Sequence, residues 1–97
     1  YADNNSCAVS ATGHGEFFIR HTVARDICAR MQFAGQNLQE AADTVIMDEL
    51  VAAGGDGGIV AVDATGEVSM VFNTPGMYRA SVSGSGEKRI GIFGDEP

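Results

Sequence analysis

The chain has 97 residues, 44% of them apolar and 20% charged, with a net charge of −7. That length allows one domain at most, with a modest core, and the composition is that of a globular protein rather than a disordered one. There is no Lys/Arg cluster to hold nucleic acid or an anionic membrane surface, and no apolar run approaches the ~20 residues that span a bilayer, so neither is expected as a partner.

In chain order, Tyr1 to Asn5 is polar and turn-like. The run from Ser6 to Thr12 is made of small and β-tolerant residues, which suits a buried strand approached closely on both faces. Thr12-Gly13-His14-Gly15 breaks it, and Glu16 to Phe33 reads as a helix. Ile19, Val23, Ile27 and Met31 recur every four residues there, beside Ala24 and Cys28, as one apolar stripe. Gly35 is placed to end this helix in a left-handed turn. Asn37 to Ala53 reads as a second helix, with Asn37 and Glu40 in capping-box spacing and Gly54-Gly55 as its stop. Gly57 to Asp63 is a short strand, joined through Ala64-Thr65-Gly66 to the alternating strand Glu67 to Phe72. Val68, Met70 and Phe72 share one face of it. After the turn Asn73-Thr74-Pro75-Gly76, Met77 to Ser83 and Arg89 to Phe93 are edge strands. Strand, helix, helix and then three or four strands is an α+β order with an antiparallel sheet, not a doubly wound one.

Cys7 and Cys28 have no metal or redox spacing. Both fall in apolar runs, so they read as buried free thiols, which favours a reducing compartment. The chain opens on Tyr1 with no visible signal peptide, which reads as a processed or cut product.

Thr12-Gly13-His14-Gly15-Glu16 is the one constellation able to carry chemistry. A strand that ends in Thr-Gly and enters a helix offers backbone N–H groups, the positive end of a dipole and glycines that let a ligand approach. Such a corner can bind a carboxylate, a phosphate or an acyl-transfer oxyanion, with the Thr hydroxyl as a further donor. A Gly-x-Gly turn before a helix is more often only a tight connection. It is neither a dinucleotide fingerprint, since the third glycine and the βαβ unit are missing, nor a P-loop, since no Gly-Lys-Ser/Thr follows. His14 reads as an exposed loop residue, His21 as solvated or at an interface, and Arg79 as a strand-surface or interface charge. No metal or cofactor is expected.

Three segments in order resemble the β-subunit of the isoaspartyl peptidases and plant-type L-asparaginases, a family of N-terminal-nucleophile hydrolases. They are Tyr1-Ala2-Asp3-Asn4-Asn5 with Ala8 to Glu16, then Glu40-Ala41-Ala42 with Gly54 to Gly58, then Phe72 to Ala80. The resemblance implies an α+β chain that is part of a four-layer αββα sandwich. It implies a precursor that cuts itself before a Thr, and that Thr as the nucleophile, with its α-amino group as base. It also implies pairing with the α-subunit of the same precursor and a second αβ heterodimer, a cytoplasmic location, and β-aspartyl dipeptides or L-asparagine as substrates. Thr12 and Gly13 match the oxyanion-hole positions, and the Gly13 and Gly15 backbone matches positions that hold the substrate's amino end.

The same resemblance sets an expectation about what is missing. The family's nucleophilic Thr stands a few tens of residues before the Thr-Gly turn, followed by a further catalytic Thr and by an Arg and an Asp that hold the substrate. None precedes Tyr1, and Thr22, Thr44, Thr65 and Thr74 lie in the wrong places to replace them. Residues 1–97 are therefore expected to be the C-terminal part of a β-subunit, inactive alone because the nucleophile is absent. The alternatives are a glycosylasparaginase-type hydrolase, which shares the Thr-Gly turn, or a non-catalytic structural fragment.

Overall fold

In the computed structural model the described residues are 1–13 and 17–94, and for 17–21 the description covers the backbone only. Strand β1 (Cys7–Thr12) is followed by helix α1 (Phe17–Ala34) and by a second helical stretch. That stretch is α2 (Leu38–Asp43), a π-helical segment (Thr44–Glu49) and α3 (Leu50–Ala52). Strands β2 (Gly58–Asp63), β3 (Val68–Phe72), β4 (Gly76–Val82) and β5 (Lys88–Phe93) complete the chain. The fold is α+β with antiparallel sheets, as the order of periodicities implies.

β1, β2 and β3 form one antiparallel sheet in that order, with Val9 opposite Ala61 and Ile59 opposite Val71. Strand side chains alternate between faces. Cys7, Val9, Ile59, Ala61 and Val71 therefore point inward onto Val23, Ala24, Ile27, Cys28, Leu38, Ala41, Ala42, Val45 and Ile46, which together make the core. The helical stripe on α1 is buried from Val23 through Cys28, and Met31 packs at its edge. Within the buried layer Ser69 keeps its hydroxyl satisfied by donating to Gln39 Oε1 at 2.8 Å.

The helix ends follow local chemistry. Gly35 adopts φ +72° just past α1. Asn37 Oδ1 accepts from the Glu40 N–H at 2.8 Å, and Glu40 Oε1 accepts from the Asn37 N–H at 3.4 Å, closing the expected capping box. The second helix differs from a plain α-helix in its middle. The Leu50 N–H bonds the carbonyl of Val45, five residues back, and not that of Ile46.

Two expectations are corrected. The late strands do not extend the main sheet: among the described residues β4 and β5 pair only with each other, in a hairpin closed by the Ser83 N–H to Glu87 carbonyl bond of 2.9 Å. Pro75, with no N–H to give, stands in the turn that separates this hairpin from β3. The cysteines are not free thiols. Cys7 at the start of β1 faces Cys28 on the buried side of α1, their Cα atoms 5.4 Å apart, and the two are joined as a disulfide. Spacing along the chain carries no hint of this, because the pair forms only when the helix lies back on the strand. The free-thiol argument for a cytoplasmic location falls with it, since disulfides persist mainly in oxidising compartments. No helix among the described residues is long and apolar enough to cross a membrane.

Candidate active site

The Thr-Gly corner lies at the outer end of β1. Thr12 is the last residue of the strand, opposite Gly58 of β2, and both Thr12 and Gly13 are exposed. Gly13 has φ +140°, a conformation that L side chains rarely adopt. A Cβ there would lie 2.5 Å from Gly57 Cα and 2.6 Å from the Asp56 carbonyl oxygen. Gly57, at φ +154°, is fixed reciprocally: its Cβ would lie 2.5 Å from the Thr12 carbonyl oxygen. The two backbones are in contact with no room for a methyl group between them. Gly13 and Gly57 are explained by this one approach.

The loop that carries Gly57 is held from behind by Asn73, which follows β3. Asn73 Oδ1 accepts from the Gly57 N–H at 2.8 Å, and the Asn73 backbone N–H donates to the Gly57 carbonyl at 3.0 Å. Its Nδ2 donates to the Ile46 carbonyl at 3.0 Å and to the Gly55 carbonyl at 3.4 Å. In the sequence Asn73 looks like an ordinary turn residue, and its partners lie 16 to 27 residues away, so local reading had no signal for this role.

Of the anticipated site residues, Thr12 and Gly13 are thus brought together at one exposed corner. Gly15, with His14 and Glu16, lies outside the described residues. Arg79 stands apart, over the Phe72 ring at 4.9 Å, donating to the carbonyls of Met77 at 3.2 Å and Phe93 at 3.0 Å. It ties the β4–β5 hairpin to the end of β3. A cleft of about 630 Å³ opens beside it, between the outer face of β3 and the hairpin. Val68, Met70, Phe72 and Val82 contribute apolar lining there, and the cleft does not reach Thr12 or Gly13.

A family model described as Asparaginase (Asparaginase_2) matches residues 1–92. The chain is 54% identical over 80 residues to the isoaspartyl peptidase of Escherichia coli strain K12, covering 82% of this chain and 25% of that protein. It is 45% identical over 87 residues to a probable isoaspartyl peptidase/L-asparaginase 2 of Arabidopsis thaliana, covering 90% of this chain and 26% of that protein. Against the isoaspartyl peptidase/L-asparaginase of Xenopus laevis it is 38% identical over 96 residues, 99% of this chain and 30% of that protein. The chain thus spans about a quarter of the length of the curated relatives it matches. Matching almost end to end, it belongs to the isoaspartyl peptidase/L-asparaginase family.

Proposed function

We propose that these residues are part of a Thr-nucleophile amidohydrolase that cleaves β-aspartyl dipeptides and L-asparagine. Thr12 and Gly13 supply its oxyanion-stabilising donors, and the backbone of Gly13 and Gly15 holds the substrate's amino end. The observation that carries this reading is the corner itself. Thr12 ends a strand at an exposed edge, and the backbone of Gly57 lies so close behind it that a Cβ on Gly57 would fall 2.5 Å from the Thr12 carbonyl oxygen. Oxyanion stabilisation requires donors that are fixed before charge develops, because reorganisation during the reaction would consume the gain. Family membership supports the reaction class.

In this reading residues 1–97 are the C-terminal part of the β-subunit. The nucleophilic Thr and the groups that grip the substrate carboxylate come from the rest of the assembled enzyme. That enzyme is made by self-cleavage of a precursor and works as two paired αβ heterodimers. The outer face of the main sheet supports such an assembly. Ala8, Val62 and Val68 form one cross-strand row and Ser10, Val60 and Met70 the next, with Val60, Val62 and Val68 each 40% exposed or more. A second sheet laid on this face gives the inner two layers of an αββα sandwich.

Intact mass and N-terminal sequencing of the purified, denatured native particle test the assignment. A Thr-starting segment upstream of Tyr1 or in a co-purifying chain, together with hydrolysis of a β-aspartyl dipeptide, is the expected result. A native particle holding residues 1–97 alone, with no such hydrolysis, contradicts it. A cytoplasmic location further requires Cys7 and Cys28 to be reduced in the cell, which thiol counting on freshly quenched cells decides.

A further inference from the structure

We propose that Asn73 is a positioning residue for the Thr12–Gly13 corner, acting through the backbone of Gly57; the inference rests on the reading of that corner as an oxyanion site. A side-chain amide has one acceptor oxygen and two donor hydrogens. Asn73 uses both ends: the oxygen takes the Gly57 N–H at 2.8 Å, and the nitrogen gives to Ile46 at 3.0 Å and Gly55 at 3.4 Å. The backbone bond from Asn73 to the Gly57 carbonyl grips the same residue from its other side.

The partner on the helix is provided by the π-helical segment. In an α-helix the Ile46 carbonyl would receive the Leu50 N–H, but that N–H goes to Val45, and Asn73 Nδ2 donates to the Ile46 carbonyl. The Gly57 loop is thereby tied to the core, where Ile46 is almost wholly buried. From Gly57 the constraint passes by contact. The missing Cβ of Gly57 would fall 2.5 Å from the Thr12 oxygen, and that of Gly13 would fall 2.5 Å from Gly57 Cα. Any displacement of Gly57 toward the corner must therefore move Thr12 and Gly13. The Asn73 side chain thus gives the loop an acceptor and a donor together. Aspartate would keep the oxygen for Gly57 but set a second oxygen against two carbonyls.

The test uses Asn73→Asp and Asn73→Ala in the assembled enzyme, with Gly57→Ala as a probe that presses on Thr12 and leaves Asn73 in place. The readouts are β-aspartyl dipeptide kinetics well below each variant's melting temperature and amide hydrogen exchange at Gly13. Misplacement of pre-set donors predicts a kcat loss of about 10²-fold in all three, and KM rises as well because the Gly13 backbone also holds the substrate's amino end. Gly13 exchange should quicken with each. Wild-type kcat in the Asn73 variants, or a loss that follows only the folded fraction with Gly13 exchange unchanged, overturns the proposal. If the wild type hydrolyses nothing while Gly13 exchange still answers to Asn73, the positioning stands and the functional reading falls. If neither responds, both fall.

Discussion

A single methyl group at Gly13 would meet Gly57 Cα and the Asp56 carbonyl at 2.5 and 2.6 Å, in a backbone conformation that a side chain resists. Gly13→Ala should therefore destabilise the chain by about 1–3 kcal/mol or more, measured by denaturant titration, whereas an unchanged midpoint would mean that the loops are not in contact. Asp63 gives a prediction in pH. Burial pushes its carboxyl up, but the Thr65 hydroxyl and the N–H groups of Glu67, Thr65 and Gly66 outweigh it and hold the pKa below the usual aspartate value. A depressed folded pKa contributes stability that is complete above the unfolded value of about 3.9 and is lost as pH falls through the folded value. The stability gap between wild type and Asp63→Asn should accordingly be level at neutral pH and shrink below about pH 4. A gap that does not change with pH would contradict the hydrogen-bond account. In the sequence alone Thr12 and Gly13 read as a strand-ending turn, which is more often only a tight connection, and the family resemblance is what singled them out. Asn73 was not legible, because its meaning lies in partners brought together only by the fold.

At the scale of elements, hydrophobic period and end signals located nearly every boundary. The four-residue stripe marked α1, alternation marked β3, and Asn37 with Glu40 marked the start of α2. Two features were hidden for one reason, which is that each depends on partners remote in sequence: the separation of β4–β5 from the main sheet and the disulfide. The disulfide joins β1 to α1 across 21 residues and so encloses the Thr12–Gly13 corner in its loop. Closing a loop of that length restricts the unfolded chain by about 3 kcal/mol. Reduction, or the Cys7→Ala/Cys28→Ala pair, should lower stability by that order. Equal stability of oxidised and reduced protein, or two free thiols in the folded oxidised protein, would contradict the pairing.

Across the described residues, apolar surface is left open on one side of the main sheet and on the hairpin. One face of the main sheet carries the helices, and the other presents valines. On the hairpin, Tyr78, Val82 and Ile90 are each 66% exposed or more. The apolar Val68/Met70/Phe72 face was visible in the alternation of β3. The helices take the opposite face, which carries Ser69 and Val71, so Val68 is half exposed while Met70 and Phe72 are half-buried beside the hairpin. The 97-residue chain prepared alone should bind hydrophobic dyes or aggregate. A sharp, cooperative melt of that isolated chain without dye binding would count against a place inside a larger sandwich.

The central claim is that Thr12 helps to stabilise the oxyanion of β-aspartyl amide hydrolysis. The most direct measurement is the kcat of the assembled enzyme on a β-aspartyl dipeptide with Thr12→Val, which keeps the shape and removes the hydroxyl. Loss of one pre-set oxyanion donor predicts a fall of about 10²–10³-fold in kcat with KM little changed. Full activity in the folded variant would contradict the claim and leave the corner as a structural turn.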